Sequence, residues 1–132
     1  MSANKMEVAA MRSALGRARG LGSAKTGTAH WWAQRLTAIA LVPLAIWFVL
    51  AVLAHLGAPH AEVAHWIGRP VNAVLLLALI VALFHHLQLG SQVVIEDYIH
   101  GEALRLAALL LMRAVVALLF LAAFVAILRM AL

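Results

Sequence analysis

Three long apolar stretches, parted by two shorter polar connections and preceded by a polar leader, organise this chain. An α-helix rises about 1.5 Å per residue, so crossing a hydrocarbon core of roughly 30 Å takes about 20 mainly apolar residues. The pattern predicts spans over about residues 32–55, 71–95 and 104–128, an all-α integral membrane fold with three transmembrane helices. Trp31 and Trp32 stand at the mouth of the first span, where amphipathic rings prefer the headgroup level. Pro43 inside that span is expected to bend the helix rather than end it, because neighbouring groups in a membrane bundle satisfy the freed carbonyl. The connection from Leu56 to Pro70, with Gly57, Pro59 and Gly68, reads as a loop with an interfacial turn anchored by Trp66. A short connection from Glu96 to Glu102 joins the second span to the third, and Arg129 lies beyond the third. Two regions result: a basic tail over residues 1–29 and a membrane domain over residues 30–132.

Composition agrees with lipid as the solvent. Of 132 residues, 66% are hydrophobic and 11% charged, against about 25% charged in an ordinary soluble domain, and the mean hydropathy is +1.01. Cysteine is absent, which excludes disulfides, iron-sulfur ligation and thiolate nucleophiles within this chain and leaves histidine as the best remaining metal ligand. No Gly-rich phosphate loop, internal repeat or low-complexity block is present, and no residue pattern points to a catalytic centre within the chain.

The net charge of +5 raises the question of nucleic acid, but the charge is not spread over a folded surface. Six of the ten Lys and Arg, namely Lys5, Arg12, Arg17, Arg19, Lys25 and Arg35, precede the first unbroken hydrophobic run. That asymmetry sets orientation in a bilayer and predicts a cytoplasmic N-terminus, with the C-terminus on the far side after three spans. A basic, acid-poor leader is also the composition of an organelle transit peptide, a reading weakened by Glu7 and by the Gly-rich stretch over residues 16–27.

Chemistry concentrates in the second half of the second span, which is too polar for lipid alone: His85, His86, Gln88, Gly90, Ser91 and Gln92. His86, Gly90, Val94 and Asp97 are spaced by four, four and three residues and so share one helix face. Ionisable groups at membrane depth are costly and face a partner, a cavity or a cofactor. A histidine there can bind haem iron through a neutral imidazole nitrogen, or hydrogen-bond across helices. A glycine one turn on makes room for a flat macrocycle, or for a neighbouring helix. Asp97 and Tyr98 are, on composition, a solvated helix end.

The run from His86 through Gly90 to Asp97 and Tyr98, followed by Ala103, Leu104 and Arg105, resembles a family signature. It is similar to the hydrophobic membrane anchor subunits of succinate dehydrogenase, respiratory complex II, where a histidine, a glycine four residues on and an Asp-Tyr pair end the second of three helices. The segment from His30 to Ile39, with Arg35, resembles the start of the first helix in alphaproteobacterial members. The resemblance extends over roughly residues 26–110.

It implies a bacterial inner-membrane subunit that forms a haem-binding helical bundle with a companion cytochrome b subunit and holds a flavoprotein and an iron-sulfur protein to the membrane. FAD and iron-sulfur clusters would then reside only in those partners. By position, the resemblance makes His86 this subunit's axial ligand to haem b, with Gly90 packing near the macrocycle and Arg35 near the propionates. Tyr98 would hydrogen-bond a ubiquinone carbonyl oxygen, with Asp97 beside it. His85 is an additional histidine in this pattern, and Arg113, inside the third span, matches no family role. Two other classes fit the bare sequence: an anchor of a fumarate reductase type, and a small non-redox channel or assembly protein in which His85, His86 and Asp97 form a proton path or pack as polar groups.

Overall fold

A computed structural model of the chain describes residues 14–19 and 27–132. The described residues form a short helix α1 (Ala14–Ala18), three long helices α2 (Gly27–Ala54), α4 (Pro70–Tyr98) and α5 (Glu102–Ala131), and a two-turn helix α3 (His60–Ile67). All three long helices are long and apolar enough to cross a membrane. The chain is therefore a multi-pass membrane protein built from helices alone among its described residues.

The long helices do not close into a bundle. α4 packs against both α2 and α5, whereas α2 and α5 do not meet. The three spans thus lie in a row with α4 in the middle, and the burial pattern follows. A third of the most apolar stretch of α4 is buried, while none of that of α2 is. Apolar side chains such as Leu36, Ile39, Leu111 and Leu118 are left on the outside, which suits lipid or another membrane subunit and would be costly in water.

Local chemistry sets the helix ends. α2 continues through Pro43 without a break. It ends where Gly57 takes a left-handed φ of 79°, a conformation that costs an L side chain energy and that glycine adopts freely. Pro70 stands in the first turn of α4, where a missing N–H leaves no bond unmade. Glu102 sits in the first turn of α5, where its charge complements the helix dipole.

Three features differ from the sequence reading. The connection after the first span is not a loop, because residues 60–67 form α3, and Val63, Trp66 and Ile67, spaced to share one helix face, line an apolar pocket with Phe48, Ala51 and Leu76. Trp66 accordingly stacks on Trp47, with ring centroids 5.7 Å apart, and tilts against His55 at 4.9 Å. Glu96, Asp97 and Tyr98 belong to the last turn of α4 and not to a connection, which shrinks to residues 99–101. Finally, α2 begins at Gly27, within the stretch assigned to the tail, and α1 forms within that stretch too. The rest of the tail, residues 1–13 and 20–26, lies outside the described residues.

Candidate functional site

A polar stripe on α2 faces the polar half of α4. His30, Gln34 and Thr37 follow one another at intervals of four and three residues, the repeat of one helix face. Opposite them stand His86 and Gly90. The Thr37 hydroxyl oxygen lies 3.0 Å from His86 Nδ1. A Cβ placed on Gly90 would meet the Gln34 amide nitrogen at 3.5 Å, ordinary van der Waals contact. Gly90 thus sits beside α2 with room for a Cβ, so this packing does not by itself call for a glycine. The same stripe holds two buried polar atoms without a hydrogen-bond partner, His30 Nε2 and Gln34 Oε1. Such orphans are uncommon in folded proteins and mark a place where a water, a ligand or another chain completes the site.

On its outward side, α4 carries an open groove of about 460 Å³, lined by His86, Gly90 and Val94 with Leu87, Ser91 and Ile95. The four-residue spacing read from the sequence therefore does place His86, Gly90 and Val94 together. Asp97, on the same stripe by spacing, is about 16 Å from His86 along the helix axis and does not line the groove. With Nδ1 held by Thr37, the other ring nitrogen of His86 has no hydrogen-bond partner among the described residues. The donor set fits a haem: a part-buried imidazole with one nitrogen engaged, one nitrogen free, and an apolar groove beside it.

His85 goes elsewhere. A neighbour on a helix is turned by about 100°, and His85 lines a separate cavity of about 310 Å³ between α4 and α5, with Phe84, Gln88, Val116 and Phe120. That interface is aromatic, with Phe84 and Phe120 edge to face at 5.9 Å and Phe124 next in line at 5.8 Å. Arg113 finds its partner on α4, donating to Gln92 Oε1 at 3.4 Å, while Gln92 donates in turn to Glu96 at 2.8 Å.

Two other residues singled out in the sequence stay apart from His86. Arg35 is two positions from Thr37 and so points some 160° away from it around α2. Its guanidinium lies over the Trp31 ring at 4.2 Å, a cation-π contact. Tyr98 is the last residue of α4 and is 79% exposed, and Asp97 beside it is exposed as well. Thr37 and Gln34, which reach His86 and Gly90, were missed in the sequence. Their signal was the polar stripe at helical spacing in an otherwise apolar span.

Fold and site together define a helical membrane protein whose polar groups gather along the second half of one helix, with an open groove beside His86. The profile of the succinate dehydrogenase/fumarate reductase transmembrane subunit family matches residues 9–127, and the chain belongs to that family. It is similar to the succinate dehydrogenase hydrophobic membrane anchor subunit of Rickettsia bellii, 39% identical over 94 residues covering 71% of this chain and 75% of the relative. The succinate dehydrogenase membrane anchor subunit of Reclinomonas americana is 33% identical over 94 residues, 69% of this chain and 78% of the relative. The corresponding Paracoccus denitrificans subunit is 33% identical over 84 residues, 64% of this chain and 65% of the relative. No solved structure matches the chain significantly.

Proposed function

We propose that this chain is the hydrophobic membrane anchor subunit of a succinate:ubiquinone oxidoreductase in a bacterial inner membrane. It binds haem b jointly with a companion cytochrome b subunit, helps form a ubiquinone site, and attaches the iron-sulfur and flavoprotein subunits to the membrane. The observation that carries the reading is His86: its Nδ1 is engaged across the helix interface and it lines an open groove on the unpartnered side of α4. The open row of spans supports the same reading, since a haem shared between two subunits needs a helix whose functional face is left uncovered by its own chain. Relatives named as succinate dehydrogenase subunits favour the succinate-oxidising direction.

Within that complex His86 would be a nitrogen ligand holding the haem iron, and Gly90 would allow close packing beside it. When bound, the haem supplies a one-electron redox centre within the membrane. Tyr98, exposed at the end of α4, has a phenol free to donate to a quinone oxygen, a bond that strengthens as negative charge grows on that oxygen during reduction. Asp97 sets the local polarity beside it. Arg35, at the start of α2, is assigned to the propionate side of the haem by family resemblance and not by contact with His86. The excess of Lys and Arg before Trp31 argues for a cytoplasmic N-terminus, and with that orientation Tyr98 would lie at the cytoplasmic edge.

The test is a reduced-minus-oxidised optical spectrum of the purified membrane complex, recorded with succinate as reductant. A b-type band in a complex that also contains a flavoprotein and an iron-sulfur protein is the expected result. A chain that purifies without those partners and without the band returns the reading to the non-redox class.

A further inference from the structure

We infer that Thr37 is a positioning residue for His86: its hydroxyl oxygen accepts a hydrogen bond from Nδ1–H and so fixes the imidazole in the tautomer whose free lone pair lies on Nε2. The consequence for iron rests on the proposal that His86 is a haem ligand.

A threonine hydroxyl has one proton and two lone pairs. Thr37 Oγ1 lies 2.8 Å from the Ala33 carbonyl oxygen and 3.0 Å from that of Gln34, and 3.0 Å from His86 Nδ1. Carbonyl oxygens only accept. If the hydroxyl proton pointed to Nδ1, two carbonyl oxygens would face the bare oxygen of Thr37 at hydrogen-bonding distance with no proton between them. If it points to the carbonyls of its own helix, a lone pair of Oγ1 is left for an Nδ1–H donor, and every group is satisfied. Bonding back to the carbonyls three and four residues earlier is also the arrangement a helical threonine favours.

A neutral imidazole has a single N–H, so a proton on Nδ1 leaves Nε2 as the acceptor. Nitrogen ligands to metals are held in this way, with the remote N–H tied to an oxygen that fixes both tautomer and ring plane. Here the oxygen comes from a different span. One turn away, a Cβ built on Gly90 would come within 3.5 Å of Gln34 Nε2, so α2 runs close to α4 where the hydroxyl is delivered. As glue the bond is weak, because the same polar groups find other partners when the helices are apart in the membrane. Its effect is orientation.

The experiment uses the complete complex with Thr37→Val, Thr37→Ala, Thr37→Ser and His86→Leu, measuring haem per flavin and the low-spin electron paramagnetic resonance spectrum. Val and Ala remove the hydroxyl and are expected to weaken haem retention by about 10- to 100-fold and to shift the low-spin g values. Ser keeps the hydroxyl and is expected to restore both. A wild-type spectrum with full haem in both Val and Ala overturns the inference, as does a Ser variant as defective as Val. Failure of Val and Ala to assemble while His86→Leu assembles assigns Thr37 a packing role and overturns it too. Unaltered haem in His86→Leu sinks the ligand assignment itself, a result distinct from any produced at Thr37.

Discussion

The two halves of α4 are one helix with opposite tasks. Its first half, from Ala73 to Ala82, holds Ala73, Leu76, Leu79, Ile80 and Ala82, five of the helix's six buried residues. At that end α3 caps the assembly, with Trp66 stacked on Trp47 and Asn72 Nδ2 donating to the Trp66 carbonyl oxygen at 2.7 Å. The second half has only Leu89 buried, carries the histidines and Gly90, and ends at an exposed Asp97 and Tyr98. The first half supplies the chain's own packing. The second carries polar groups beside a groove that its own chain leaves open, and a polar surface at membrane depth is stable only when another subunit or a cofactor covers it.

The strongest test of this contrast is topological. If the polar half lies at the cytoplasmic edge, a reporter that works only in the periplasm should be active when fused after Leu132, and a cytoplasmic reporter there should be silent. The reverse pattern would turn the two halves of α4 over.

Next comes the choice between adjacent histidines. Replacing His86 with Leu should abolish or grossly shift the low-spin haem signal of the complex, whereas His85→Leu, in the cavity against Val116 and Phe120, should leave it nearly intact. An exchange of these two outcomes would place the haem on the α5 side of the helix.

Tyr98→Phe deletes one hydroxyl while keeping the ring. Quinone reduction should fall about tenfold, the effect of one hydrogen bond to an oxygen gaining charge, while succinate oxidation with an artificial acceptor is maintained. Equal losses in both assays would mean misassembly. Asp97→Asn should produce a smaller loss in the same pair of assays, about threefold or less, because the carboxylate is exposed and screened by solvent.

The smallest effects sharpen the contrast in packing. A Cβ at Gly68 would lie 2.9 Å from the Met130 carbonyl oxygen, a backbone atom that cannot swing aside. Gly68→Ala should therefore cost about 1–3 kcal/mol, seen as a lower thermal midpoint of the solubilised complex. Gly90→Ala meets only the tip of Gln34 at 3.5 Å on its α2 side and should change stability by less than about 0.5 kcal/mol, so any effect on haem must come from the groove. Loss of haem in Gly90→Ala would show that the groove side of this glycine, and not its α2 side, sets its size.

Much of the molecule could be read from the order of its residues, because helix formation in lipid depends on local composition. Runs of apolar residues of spanning length must satisfy their backbone groups internally and become helices wherever they lie. Four-residue spacing put His86, Gly90 and Val94 on one face without knowledge of any partner, and the histidine, glycine and Asp-Tyr pattern led to the family that the comparisons bear out. The same local logic failed between the first two spans. There the turn residues Gly57, Pro59 and Gly68 suggested a loop, but Trp66 and Val63 gained enough contact with Phe48 and Leu76 to order a short helix.

Tertiary structure alone decided which helix stands in the middle, and with it what each face of α4 meets. Sequence spacing assigns angles around a helix axis but not the direction of its neighbours. It could separate His85 from His86 by about 100° without saying which one would meet a hydroxyl and which a cavity walled by Phe84 and Phe120. That followed from packing between residues 49 positions apart, Thr37 and His86, a contact that exists only once α2 has settled against α4.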